Sequence, residues 1–278
     1  MNIVFDIGGT YMRVGVSSDG TVLDAHEKIA TPQRFSDGVD MLVRTIHAIL
    51  GIHSLSAVAG GIAGVLNSQK TGLIHSPHLR HWIKKPLVET LKKKLGVSQV
   101  FLENDAALAG LGEAHCGAGK ANKIVMYYTV GTGVGGARIV DGIIDVSAMG
   151  FEPGHQVIAA TARKQPQTLE TFASGSGMMF RYQTDPAQIT DERIWREASR
   201  YLAYGLTNSI VHWSPDVVVL GGSLILSRAI DLSYVRKHIA ELLTIFPHVP
   251  PLVISKLKDE AGLYGGLALL KQSEVIPF

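Results

Sequence analysis

Six short stretches combine residue types and spacing that could do chemistry on a phosphate, a nucleoside or a hydroxyl. In Asp6-Ile7-Gly8-Gly9-Thr10 a carboxylate and two glycines close an apolar, β-prone run. Glycines at such a turn let backbone N–H groups approach phosphate oxygens, because no Cβ stands in the way. Thr10 adds a hydroxyl donor, and Arg13 follows closely enough to reach the same phosphate. Asp6 at a strand tip suits Mg2+ held through water, since this hard cation favours carboxylates and keeps part of its hydration shell. An ordinary hairpin with an exposed aspartate would read the same way.

Gly131-Thr132-Gly133-Val134-Gly135-Gly136 repeats the device. It is not a Walker loop, because no lysine follows in the required register. One glycine-rich turn is a weak signal. Two at equivalent points of a repeated unit are more specific and could grip a phosphate chain from both sides. Gly221-Gly222-Ser223 offers flat backbone for a nucleobase or ribose, or else a simple strand-to-helix turn. Asn104-Asp105 follows another β-prone run and opens a helix. A carboxylate there can take a proton from a hydroxyl while the neighbouring amide fixes the hydroxyl's direction; the same pair is also a common helix cap. Glu152-Pro153-Gly154-His155 and Leu169-Glu170 supply acceptors and donors suited to vicinal hydroxyls.

The elements that must hold these residues repeat. Asn2–Ile7 and Tyr11–Ser17 read as strands around the first glycine turn, Asp19-Gly20 as a hairpin signal, and Thr21–Ile29 as a third strand. Ile124–Val130, the second glycine turn, Gly135–Val140 and Asp141-Gly142 restate that order about 122 residues later. Helices and strands alternate after each meander, which gives an α/β architecture built twice. Ser36–Leu50 is expected as a helix capped by Ser36 or Asp37, burying Val39, Leu42, Val43, Ile46, Ile49 and Leu50. Pro86 is expected in the first turn of a helix burying Leu87, Val88, Leu91 and Leu95. In the second half, a long helix is expected over Glu192–Val211, and further helical patterns over Ser227–Leu243 and Glu260–Leu270. Gly117 and Gly119 mark the expected break between halves.

Composition narrows the class. Hydrophobic residues at 46% and charged residues at 18% describe an ordinary globular chain, and 278 residues suffice for two cores. The net charge of +2 is spread out, with Lys92-Lys93-Lys94 the only run, so nucleic acid is not an expected partner. The single cysteine, Cys116, excludes an intramolecular disulfide framework and a cysteine-rich zinc module. Neither a signal pattern nor a run near the roughly 20 apolar residues of a membrane span is seen, so a cytoplasmic location with no membrane partner is expected.

DIGGT at 6–10, ENDAALAGLGE at 103–113, GTGVGG at 131–136, EPGH at 152–155, LETFASG at 169–175, LGGSL at 220–224 and AGLYGGLALL at 261–270 follow one another in this order. In this the chain resembles the ROK family of bacterial sugar kinases and related repressors, within the actin-like ATPase superfamily. The resemblance implies a two-lobed, ribonuclease H-like α/β fold with duplicated βββαβα domains: residues 1–117, with a closing helix 266–278 packed back on them, and residues 118–265. It implies transfer of the ATP γ-phosphoryl group to a sugar hydroxyl, the one on C6, with ATP and Mg2+ as cofactors. Asp105 looks like the catalytic base, and its carboxylate needs no raised pKa because the proton moves late. Asn104, Glu152, His155 and Glu170 resemble sugar ligands, and Gly64 belongs to a Gly61–Gly64 loop lining the sugar pocket. Gly8, Gly9, Thr10, Arg13, Thr132 and Gly133 correspond to the phosphate grip, Gly221 and Gly222 to the adenosine side, and Asp6 to the Mg2+ carboxylate.

One departure stands out. The family's kinases usually carry a cysteine-rich zinc loop after the EPGH-like histidine, and here the short interval Gln156–Thr168 holds no cysteine. No zinc site is expected, and His75, His78 and His81, spaced by three around Pro77, are poor replacements. His78 also stands where the family often has an asparagine. Two rivals remain: a repressor, for which a helix-turn-helix before the first strand would be expected, and a sugar sensor or scaffold without activity. Glucose, fructose and the N-acetylhexosamines are all open as substrates. A homodimer is expected from the resemblance alone.

Overall fold

The structure, a computed structural model, describes residues 1–160, 165–227 and 229–275. The chain separates into two compact units: Met1–Gly117 with Val146–Gly150 and the C-terminal residues from Asp259, and Ala118–Asp145 with Phe151–Lys258.

The first unit is built on a five-stranded sheet of β1 (Asn2–Ile7), β2 (Tyr11–Ser17), β3 (Ala25–Ala30), β4 (Ala57–Ile62) and, after a small hairpin of β5 (Val65–Leu66) and β6 (Leu73–His75), β7 (Val100–Asn104). Its order is β3-β2-β1-β4-β7. β1 pairs antiparallel with β2 and parallel with β4, and β4 pairs parallel with β7. Every residue of β4 is buried, as befits a central parallel strand with both faces covered. The helices are α1 (Phe35–Leu50), α2 (Leu87–Leu95), α3 (Asp105–His115) and α9 (Ala261–Val275). The sequence continues with the second unit's strands β8 (Ile124–Val130), β9 (Val134–Val140), β10 (Ile143–Ile144), β13 (Val217–Gly221) and β14 (Leu252–Ile254), in the order β10-β9-β8-β13-β14. β8 and β9 are antiparallel, while β8–β13 and β13–β14 are parallel. Both sheets therefore use one topology, the fold expected from the doubled strand–turn–strand pattern. The hairpin of β11 (Val157–Ala160) and β12 (Pro166–Thr168), then α4 (Leu169–Ala173), α5 (Gly175–Tyr182), α6 (Glu192–Trp213), α7 (Ser223–Leu226) and α8 (Leu232–Leu242), complete the second unit. Each unit has its own apolar core, one including Ile3, Phe5, Leu42 and Trp82, the other Tyr128, Leu202, Leu206 and Val218. No helix among the described residues is long and apolar enough to cross a membrane.

Several local readings need correction. Asp141 and Gly142 adopt φ of 50° and 75°, both left-handed, and Ile143 pairs with Val140, which makes the expected two-residue hairpin. The matching Asp19-Gly20 does not. The third strand begins only at Ala25, because the Asp19 carboxylate accepts from the N–H groups of Thr21 and Val22 at 2.7 and 3.0 Å and so holds a wider loop. Helix α1 begins at Phe35 after Arg34 with no side-chain cap, and Ser36 bonds Asp37 instead. Its buried residues include Val39, Leu42, Ile46 and Leu50, while Val43 and Ile49 pack at the core margin. Pro86 precedes α2 at the cap position. The pattern over 227–243 becomes a break followed by α8, with residue 228 outside the described residues.

Helix α9 lies against α3 through glycines. A Cβ on Gly265 would fall on the carbonyl of Leu108, and one on Gly112 on the carbonyl of Ala261. Backbone cannot yield as a flexible side chain can, so Gly265→Ala must part the helices. The expected cost is about 2–3 kcal/mol, a fall in Tm of roughly 5–10 °C. Thermal unfolding checks this, and an unchanged Tm would show that the two helices do not depend on this close approach.

Candidate functional site

In the first unit the candidate residues gather at the carboxyl ends of β1, β4 and β7, the end of an open parallel sheet where ligands bind. Asp6 is paired in register with Gly61, and Gly61 with Glu103. Asp105 is the first residue of α3, directly after β7. A Cβ on Gly61 would stand 3.1 Å from Asp105 Cα and 3.4 Å from Asp6 Oδ1. The missing side chain thus lets β4 pass close to both aspartates. Asp6 Oδ1 is buried without a hydrogen-bond partner, and its Oδ2 lies 3.7 Å from Arg13. Burial, reinforced by the charge of Asp105, pushes Asp6 up from 3.8 to about 7; Arg13 opposes the rise and Asp259 adds to it.

Asp105 is also raised, chiefly by burial, against the backbone N–H groups of Ala106 and of Asp105 itself and the charge of His78. The mechanism needs no such rise, and the end of α3 favours the carboxylate, but desolvation wins. Asn104 is the helix cap, its Oδ1 accepting from Ala107 N at 3.0 Å while its Nδ2 donates to Gly64 O at 3.1 Å. The cap reading of this pair is therefore realised, and it fixes Asn104 beside the Gly61–Gly64 loop. Gly64 has φ of 132° and its Cβ would strike His75 O, so only glycine fits. Buried Glu103 accepts from Asn104 N at 2.9 Å and pairs with Lys70.

The Gly8–Thr10 turn is pinned: Gly8 N donates to Tyr11 O at 3.0 Å, Thr31 Oγ1 to Gly8 O at 2.7 Å, and Thr31 N to Thr10 O at 2.9 Å. The Gly8 N–H is thus spent within the turn, which removes it as a phosphate donor in this conformation. Gly9 packs against His78, with 2.5 Å between a Cβ there and that of His78, and Thr10 is exposed. Arg13, expected at a phosphate, instead holds Asp259 at 2.8 Å from the strand position opposite Asp6. Its guanidinium braces carboxylates.

In the second unit the Gly131–Gly136 turn is the meeting point. Gly131 N donates to Gly133 O, Gly175 N to Gly131 O and Ser176 N to Thr132 O, at 3.0, 2.8 and 2.9 Å. Glu170 Oε2 accepts from Val134 N at 2.8 Å and would lie 2.7 Å from a Cβ on Gly133. Gly222 has φ of 89° and sits on the backbone of Val130, and a Cβ on Gly131 would stand 3.3 Å from Ser223 Oγ. Thr132, Gly133, Glu170 and the Gly221–Gly222 strand end are therefore brought together. Glu152 and His155 are exposed on the single turn Pro153–His155, whose Gly154 packs on the carbonyl of Val134.

Sequence reasoning missed Asp259, the partner of Arg13, and Gly262, where a Cβ would stand 3.1 Å from Asp6 Cγ. Neither carries a local signal, since each lies more than 240 positions from the aspartate it affects.

Two sheets of one topology, each with a glycine turn between its first two strands, define the actin-like ATPase class of fold. Within that class the chain belongs to the ROK family, whose model matches residues 2–273. It is 27% identical over 325 residues to a glucokinase of Streptomyces coelicolor, covering 99% of both chains. To an N-acetyl-D-glucosamine kinase of Pasteurella multocida it is 27% identical over 305 residues, covering 97% of this chain and 99% of the relative. A ROK family glucokinase from Streptomyces griseus, solved in complex with glucose and AMPPNP, has the same fold, with a TM-score of 0.82 at 24% identity over 98% of this chain and 99% of that one.

Proposed function

We propose that the protein is an ATP-dependent sugar kinase that phosphorylates a hydroxyl, the one on C6, of a hexose or N-acetylhexosamine, with Asp105 as general base. The observation that carries this reading is the pair of aspartates flanking Gly61, one opening α3 and the other beside the Gly8–Thr10 turn. Relatives that are glucokinases and N-acetylglucosamine kinases support the substrate class. In the reaction the sugar oxygen attacks the γ-phosphorus, the bond from that phosphorus to the ADP oxygen breaks, and the hydroxyl proton passes to Asp105.

Asp105 directs the hydroxyl and receives its proton, and the Asn104 cap holds the helix start in place. Glu152, His155 and Glu170 bind sugar hydroxyls. Glu170 has Oε2 committed to Val134 N and offers Oε1 to the ligand. Gly9, Thr10, Thr132 and Gly133 contact the phosphates, and Gly221 and Gly222 the adenosine. The residues present fit Mg2+: Asp6 carries one buried, unpartnered oxygen beside Gly61. Among the described residues no cluster of three or more His, Cys, Asp or Glu could cage a metal, which suits an ion that retains its waters. When bound, Mg2+ supplies charge neutralisation on the phosphate oxygens, and Asp6 would hold it through water.

The test is a coupled ADP-release assay with MgATP across hexoses and N-acetylhexosamines. ADP release that depends on one sugar class is the expected result and names the substrate. If no sugar raises release above background while some still raise the melting temperature, the protein is a sugar sensor and the kinase reading fails.

A further inference from the structure

We propose that Gln156 is a positioning residue that sets the geometry of both sugar-facing segments of the second unit, the Glu152–His155 turn and the start of α4 that carries Glu170. The inference rests on the reading of Glu152, His155 and Glu170 as sugar ligands. Its physical basis is a half-buried amide with every hydrogen-bonding group of its side chain employed. Nε2 donates to Pro153 O at 2.8 Å and to the Tyr128 hydroxyl at 3.3 Å, which uses both amide hydrogens. Oε1 accepts from Asn208 Nδ2 of α6 at 3.0 Å. The backbone carbonyl accepts from the N–H of Leu169, the residue before Glu170, at 3.0 Å.

One residue thus joins four places: the turn, the β8 core, the long helix α6 and the first residue of α4. The anchor is firm. Tyr128 is fully buried, and its hydroxyl accepts from Gln156 and is also hydrogen-bonded with the hydroxyl of Ser209 of α6. Burial raises the phenol far above its ordinary pKa, so it stays a neutral partner across the working pH range. The turn itself has little freedom on its other side. Gly154 lies on the carbonyl of Val134, and Pro153 Cγ is 2.8 Å from where a Cβ on Gly136 would be. The N–H of that same Val134 holds Glu170. A turn displaced from Val134 therefore shifts Glu152 and His155 together and disturbs the backbone that fixes Glu170.

An amide that only filled space could be replaced by an apolar side chain at little cost. If it positions ligands, the same replacement must appear in sugar recognition and not in nucleotide recognition. The experiment compares wild type, Gln156→Leu, Asn208→Ala and the double variant by Michaelis constants for sugar and for MgATP, with Tm measured beside them. Gln156→Leu is expected to raise the sugar KM about tenfold and leave the MgATP KM within about twofold. Asn208 is exposed on α6, so Asn208→Ala keeps the fold even where Gln156→Leu does not. It is expected to raise the sugar KM about threefold, and the double variant no further than Gln156→Leu alone, since both remove the same restraint.

An unchanged sugar KM in the folded variants overturns the proposal. So does an equal rise in both constants, or a loss of kcat that tracks Tm with KM constant, because either describes general loosening. Should wild type turn over no sugar, the kinase reading has failed, and the same variants are compared by calorimetry with the panel sugars and AMPPNP. Selective loss of sugar affinity there supports the positioning role without catalysis, and a chain that binds no sugar overturns both readings.

Discussion

Asp105→Asn should lower kcat by at least about a hundredfold while the affinity for sugar survives. The substitution keeps shape and polarity and removes only the ability to take a proton, and general-base catalysis of this kind typically contributes 10²–10⁴-fold. Folding should be spared, because the helix cap is the neighbouring Asn104, whose bond to Ala107 N does not involve Asp105. The pH profile adds a second check. Burial raises Asp105, and the base must be deprotonated to act, so activity falls as the pH drops through its pKa. The acid limb of kcat/KM should therefore lie above the ordinary aspartate range. Steady-state kinetics on the sugar identified by ADP release, with binding by calorimetry, decides the matter. Near-normal kcat in the variant would remove Asp105 from the base role.

What the sequence made legible follows the range of the interactions concerned. The two glycine turns, β7 leading into Asn104-Asp105 and the Asp141-Gly142 hairpin are local: alternation, a turn residue and a cap declare them within a few positions. Asp19-Gly20 carries the same letters as Asp141-Gly142 and forms a different loop, because the Asp19 carboxylate binds Thr21 and Val22 in place of a cross-strand partner. Arg13 is the sharper case. Its spacing from the glycine turn pointed to a phosphate, but a partner 246 residues away takes its guanidinium. Side-chain commitments across such separations leave no trace in local pattern. The glycines of α9 read as helix with weak propensity, and only the packing of Gly262 on Asp6, of Gly265 on α3 and of Gly266 on Val4 of β1 explains them. Gln156 was silent for the same reason, since its four partners are spread from Tyr128 to Asn208.

The proximity of Asp6 and Asp105 also has a thermodynamic consequence. Asp6→Asn should make the protein more stable at pH 8 in Mg2+-free buffer and bring little gain near pH 4. Asp6 titrates at about 7 in the folded chain against an ordinary 3.8. Between those values the native state binds the additional proton, so stability falls as the pH rises from about 4 through about 7. A shift of this size corresponds to a few kcal/mol at pH 8, and with the Asp6 side chain only 17% exposed, water screens little of it. Asparagine cannot ionise and so avoids that loss, while Arg13 keeps Asp259. The expected result is a Tm above wild type by several degrees at pH 8, shrinking toward zero as the pH approaches 4. Differential scanning calorimetry at several pH values measures it, and a difference that does not vary with pH would show that the buried charge is not its source. Under the kinase reading the stabilised variant should also lose activity, because the oxygen that is costly to keep charged in the apo protein is the one offered to Mg2+.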